Sequence, residues 1–199
     1  MLIIQKDKYQ RSDIISNLLN WYDHDPSNGT DWYAKAFEFC TKVGEKYNVN
    51  PIKVAGIVSA LSPQKNWEEN KRLAVQFIET GRAGQYGMLV GKAQDILELP
   101  EDHNLFIAIF EILNGLKISS FFMNIVSTDY HFVTIDRHII SASVGYSYGK
   151  ITNKGYEYLS DCIIECARIR NVHPKVFQAV VWCNFRDMNV RKFEEKVPF

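Results

Sequence analysis

The chain has 199 residues, 46% hydrophobic, 13% aromatic and 23% charged, with 23 basic against 23 acidic side chains. This is ordinary globular usage, enough for one domain or two small lobes with a packed core, and no stretch reaches the roughly 18 uninterrupted apolar residues of a membrane helix. A net charge of zero excludes nucleic-acid binding through global basicity, so any DNA contact falls to local patches and backbone amides.

The distribution is uneven: residues 146–199 carry 9 basic and 6 acidic groups. Lys150, Lys154, Arg168, Arg170 and Lys175 are the candidates for DNA-backbone contact, against the ordinary expectation of a solvated surface. The Met-Leu-Ile-Ile start is too short for a signal-peptide core, and Cys40, Cys162, Cys166 and Cys183 form no CxxC pair. Reduced thiols follow, in the cytoplasm of a bacterial or phage-infected cell, or wherever the DNA resides.

In chain order, residues 31–47 place Trp32, Ala36, Phe39, Cys40 and Val43 at three- and four-residue spacing, which predicts a helix. Asn50-Pro51 opens the next, with Asn as cap and Pro in the first turn, and it breaks near Ser62-Pro63. A third follows Asn66, with Leu73, Ala74, Phe77 and Ile78 on its apolar side. The glycines at 81, 84, 87 and 91 predict a looser connection. A helix near 102–113 ends at Asn114-Gly115 and another starts around Lys117. Residues 134–144 read as helical after Thr134, Thr152 caps a helix through Ile169, and His173-Pro174 opens a last one through Trp182. The run 131–135 (HFVTI) has strand-like composition, but a single strand would have no partner, and the fold class is all-α.

Residues 112–138 carry the chemistry: a helix, a tight Asn-Gly turn, a second helix beginning with lysine, and an aspartate after an apolar run. A helix N-terminus at a hairpin offers backbone N–H groups to an anion such as a phosphate. Lys117 stands where the helix field disfavours a cation, by typically ~0.3–1 kcal/mol, and favours a neutral amine able to act as a nucleophile. Nineteen residues later Asp136 stands near a helix start, where an ionised carboxylate is favoured and would stabilise positive charge developing on a sugar. Taken singly, each has a bland reading, Lys117 as a solvated hairpin lysine and Asp136 as a helix N-terminal residue.

The segment resembles the catalytic core of the helix-hairpin-helix (HhH-GPD) DNA glycosylases, the group containing endonuclease III and the 8-oxoguanine glycosylases. Leu113-Asn114-Gly115-Leu116-Lys117 is similar to that group's L-P-G-x-G-x-K hairpin, and Ile135-Asp136-Arg137-His138 to its V-D-x-H. A second stretch, Ser59-Ala60-Leu61-Ser62-Pro63-Gln64 with Asn70-Lys71, resembles the L-S-x-Q helix end and following N-K. The likeness covers roughly residues 50–145. The hairpin is shorter than the family form and lacks its second glycine, and the four-cysteine iron–sulfur loop is absent.

The resemblance implies a two-lobed all-helical fold with a central cleft, a core lobe of about residues 50–130 and a second lobe from 1–49 plus 131–199. It implies a monomeric DNA N-glycosylase with abasic-site lyase activity, acting on double-stranded DNA that carries a damaged or modified base, without metal or organic cofactor and without a membrane. Lys117 and Asp136 become the catalytic pair, and Gln64, Asn114, Gly115 and His138 the DNA-binding residues. Trp21, Trp32, Trp67 and Trp182 are candidates to stack on a flipped base, with helical packing as the alternative. Three other readings stand beside this one: a base-hypermodification enzyme on the same scaffold, a non-catalytic DNA-binding module, and an unrelated helical interaction protein.

Overall fold

The computed structural model describes residues 10–84, 87–102, 104–145 and 151–194, with side chains described as far as 188. Among them lie ten α-helices and no strand: α1 (Arg11–His24), α2 (Trp32–Tyr47), α3 (Pro51–Leu61), α4 (Trp67–Thr80), α5 (Gly87–Glu98), α6 (Leu105–Leu113), α7 (Leu116–Val126), α8 (Arg137–Val144), α9 (Asn153–Ile169) and α10 (Pro174–Glu194). No described helix is long and apolar enough to cross a membrane. The chain divides into two compact units, one of residues 1–33 with 130–199 and one of residues 34–129. Residues 34–49, grouped with the flanks on the sequence, thus cluster with the second unit.

The caps read from the sequence form. Asn50 accepts from the Ile52 amide at 2.9 Å, with Pro51 in the first turn. Asn66 accepts from Glu69 N at 2.9 Å and Thr152 from Gly155 N at 3.1 Å. Each satisfies an N–H that a helix start otherwise leaves unpaired.

The second unit is organised around α3, which packs on α4, α5, α6 and α7. Its residues from Lys53 to Leu61 are all buried, the consequence of a helix apolar on every side. At Gly56 a Cβ would fall 2.8 Å from Ile109 and 3.1 Å from Ile96, so glycine lets α6 and α5 approach the α3 backbone. Lys53 is the polar exception, only 6% exposed. Its ammonium donates to the carbonyls of Leu97 and Leu99 at the end of α5 and pairs with Glu101 at 3.0 Å, which offsets the cost of burying a cation.

In the first unit α1, α8, α9 and α10 pack together. The core joins Ile14, Leu18 and Tyr22 of α1, Ile139 and Ile140 of α8, Leu159, Cys162, Ile163 and Cys166 of α9, and Phe177, Val180 and Val181 of α10. Tyr22 stacks on Phe177 at 4.8 Å.

Three sequence expectations change. The glycine-rich stretch 81–91 is not all connection, because α5 begins at Gly87 and takes in Gly91. Both glycines sit on its exposed side, while Leu89, Ala93 and Ile96 bury. The helix expected from Thr134 begins instead at Arg137. Val133, Thr134 and Ile135 form a buried, non-helical segment, and one side chain reaches its backbone at both ends. Tyr156 Oη accepts from Ile135 N at 3.1 Å and donates to Val133 O at 2.8 Å. The last helix continues past Trp182 to Glu194.

Candidate functional site

In the second unit α6 ends at Asn114, which adopts the left-handed conformation (φ 39°, ψ 52°) and donates its amide to Phe110 O. Asparagine is one of the few side chains that tolerate this geometry at a helix end. Gly115 follows as the N-cap of α7; its own N–H reaches Ser119 Oγ at 3.3 Å, and no side chain caps the helix from this position. The Lys92 ammonium holds the Leu113 carbonyl, fixing the end of α6 just before the turn. Lys117 falls in the first turn of α7, half-buried, and Leu116 beside it is 43% exposed. The hairpin expected on the sequence is therefore present, with its lysine at the start of the second helix.

Gln64 lies at the end of α3 in the same unit, exposed, with φ +63°. The turn Ser62–Lys65 closes with Lys65 N to Ser62 O at 3.2 Å, with Pro63 second and Gln64 third. A positive φ at the third position is the pattern of a type II turn, where glycine or asparagine is the usual occupant. Holding glutamine there costs on the order of 1 kcal/mol, and strain of this kind is often retained where a side chain has work to do. Asn70, from the second part of the resemblance, is instead 2% exposed, its Oδ1 unsatisfied like Ser59 Oγ. Lys71 is paired with Glu68 at 2.9 Å and lies over the rings of Phe39 and Trp67. An open groove of about 540 Å³ is lined by Phe39, Lys71, Arg72, Val75 and Glu79, among others, and includes neither Gln64 nor Lys117.

In the first unit Asp136 is the N-cap of α8. Its Oδ1 accepts from His138 N at 2.9 Å and Ile139 N at 3.0 Å, and its Oδ2 accepts from the indole N–H of Trp182 at 2.9 Å. The buried Val133–Ile135 segment, anchored by Tyr156, delivers Asp136 to this position. His138 stands edge-on to Trp182 at 6.0 Å and near Phe185 at 6.2 Å. Trp182 also meets Trp32 at 6.0 Å and lies 4.6 Å beneath the Arg186 guanidinium. The structure thus joins Asp136, His138 and Trp182 in one unit, and Gln64, Asn114, Gly115 and Lys117 in the other.

Of the basic candidates, Arg170 is engaged by Asp23 through both its Nε, at 2.8 Å, and Nη2. Burial lowers the pKa of Lys175, Lys154 and Arg168 are exposed, and Lys150 lies outside the described residues. All four cysteines are buried and free. Among the described residues no three His, Cys, Asp or Glu side chains are grouped to hold a metal ion. Trp21 packs edge-on against Phe185 at 5.1 Å and Trp67 against Phe39 at 5.9 Å, so these two rings serve packing. Sequence reading did not find the partnership of Trp182 with Asp136 or the role of Tyr156. The only signal for the first is that a half-buried indole N–H needs an acceptor.

These are the features of an all-helical protein with a lysine-bearing helical hairpin and a carboxylate capping a helix. The chain belongs to the family described as of unknown function (DUF7178), which it matches over residues 1–189. No curated protein and no solved structure matches it significantly.

Proposed function

We propose that the protein is a DNA N-glycosylase with abasic-site lyase activity. The observation that carries this reading is the α6–α7 hairpin, in which a left-handed Asn114 and a capless Gly115 present the first turn of α7 with Lys117 in it. Amides at a helix start favour a phosphate, which would bring the DNA backbone to the turn that carries Lys117. Asp136, a carboxylate fixed by three donors, supports the reading as the group that would meet positive charge on the sugar.

On this reading the target nucleotide leaves the duplex stack, which costs a few kcal/mol. The Lys117 amine attacks the anomeric carbon, the bond to the base breaks, and the base departs with its electron pair and gains a proton. Asp136 stabilises positive charge developing on the sugar. The lysine–sugar adduct opens to a Schiff base, and β-elimination then cleaves the strand on the 3′ side. Gln64, at the tip of a strained exposed turn, engages the DNA next to the displaced nucleotide.

Borohydride trapping on an abasic duplex tests it. The native chain forms a covalent adduct and Lys117→Ala does not; equal trapping by both would remove Lys117 as nucleophile. Asp136→Asn keeps DNA binding and loses base release. One observation favours a second reading, a DNA-binding module without chemistry: the hydrogen bonds of Asp136 also explain it as a structural cap. Salt-dependent duplex binding with no trapping in the native chain would select that reading.

A further inference from the structure

We infer that Trp182 is a positioning residue for Asp136, setting the direction in which its carboxylate faces the substrate. The inference rests on the proposed function, in which Asp136 acts on the sugar. Capping α8 requires one oxygen, and Oδ1 alone supplies it, accepting both the His138 and Ile139 amides. Oδ2 has no part in the cap, yet it is held by the Trp182 indole N–H at 2.9 Å, from a residue 46 positions away on another helix. A carboxylate offers about four lone-pair sites. With three of them filled by amides and indole, the group is fixed about its bond to Cβ and keeps one acceptor direction on Oδ2.

The indole is itself held. Trp32 and His138 meet its ring edge-on, each at 6.0 Å, and the Arg186 guanidinium lies 4.6 Å from its centroid. A cation over the face withdraws π density and makes the N–H a better donor. Arg186 is anchored in turn by Asp187 at 2.8 Å. The chain Asp187–Arg186–Trp182–Asp136 thus runs from the last helix to the carboxylate, each group oriented by the one behind it. Rigid support of this kind limits reorganisation as the transition state forms.

The full-length chain with Trp182→Phe, which keeps the ring and removes the donor, tests the idea. Single-turnover base release from a lesion-bearing duplex should fall about tenfold or more. Duplex affinity, Tm and borohydride trapping on a pre-formed abasic site, which needs Lys117 but no base loss, should stay within about twofold or a few degrees. Unchanged base release would overturn the inference. Trapping lost in step with release would do the same, because it would mark a general structural defect. A second arm needs no activity: Asp136→Ser preserves an N-cap but cannot reach the indole. In that variant the Trp182 side-chain N–H resonance, assigned by its absence in Trp182→Phe, should move upfield and lose protection from solvent exchange. An unmoved resonance would refute the hydrogen bond. If the native chain releases no base from any lesion, the glycosylase reading fails, while this arm still decides whether Trp182 holds Asp136.

Discussion

Removing one oxygen atom, in Tyr156→Phe, probes how Asp136 is delivered to its place. The hydroxyl serves two buried backbone groups that no helix satisfies, Ile135 N–H at 3.1 Å and Val133 C=O at 2.8 Å. Val133 is 1% and Ile135 2% exposed, so water has no ready access to replace it. An orphaned buried backbone group costs about 1–3 kcal/mol, and two of them place the loss at roughly 2–6 kcal/mol. Against a domain stability of about 5–15 kcal/mol this is a large fraction, and urea unfolding at unchanged m-value reads it directly. The variant should also release base more slowly, because the segment it loosens leads straight into the cap. Trapping on a pre-formed abasic site should persist. A loss below about 0.5 kcal/mol, the scale of an ordinary surface change, would show that the hydroxyl does not carry the segment.

Three further outcomes follow from the geometry. Gln64→Gly relieves a positive φ, so the protein should keep its stability or gain up to about 1 kcal/mol in thermal unfolding while DNA affinity or base release falls; undiminished DNA engagement would remove Gln64 from the interface. Gly56→Ala drives a Cβ to 2.8 Å from Ile109, and overpacking of about 1–3 kcal/mol should outweigh the helix-propensity gain of about 1 kcal/mol; a stabilised variant would mean that α6 and α5 do not press on α3 as described. Burial pushes the thiols of Cys40 and Cys166 up to about 12 and those of Cys162 and Cys183 to about 11, from an ordinary 9.0. The folded state therefore favours the neutral thiol, so its contribution is complete below pH 9 and is lost as pH rises through 11 to 12. The urea midpoint should decline across that window, less steeply in Cys40→Ala, and iodoacetamide at pH 7 should label the cysteines only after unfolding.

The elements announced by local chemistry were legible from the sequence. Asn50, Asn66 and Thr152 each sit one residue before a helix and cap it, and Asn114-Gly115 marks the hairpin. α1 gives no such sign: Gln10 makes no side-chain cap, and burial is confined to Ile14, Leu18 and Tyr22, a stripe one residue wide. α5 was hidden by glycines, whose cost of about 1 kcal/mol each is outweighed by burying Leu89, Ala93 and Ile96. The helix starts at Arg137 and not at Thr134 because Tyr156, twenty-one residues beyond Ile135, holds the Ile135 amide and Asp136 takes the cap. At the site, residue type and spacing pointed to Lys117 and Asp136. The Trp182 contact is tertiary, and no spacing rule reaches across 46 residues between two helices.

The central claim is tested most directly by reducing the protein with borohydride on a uniformly abasic duplex, digesting it, and locating the sugar remnant by mass spectrometry. The remnant is expected on the Lys117 side chain, in the first turn of α7. A remnant on any other amine, or a native chain that leaves the abasic strand intact and unattached, would contradict it.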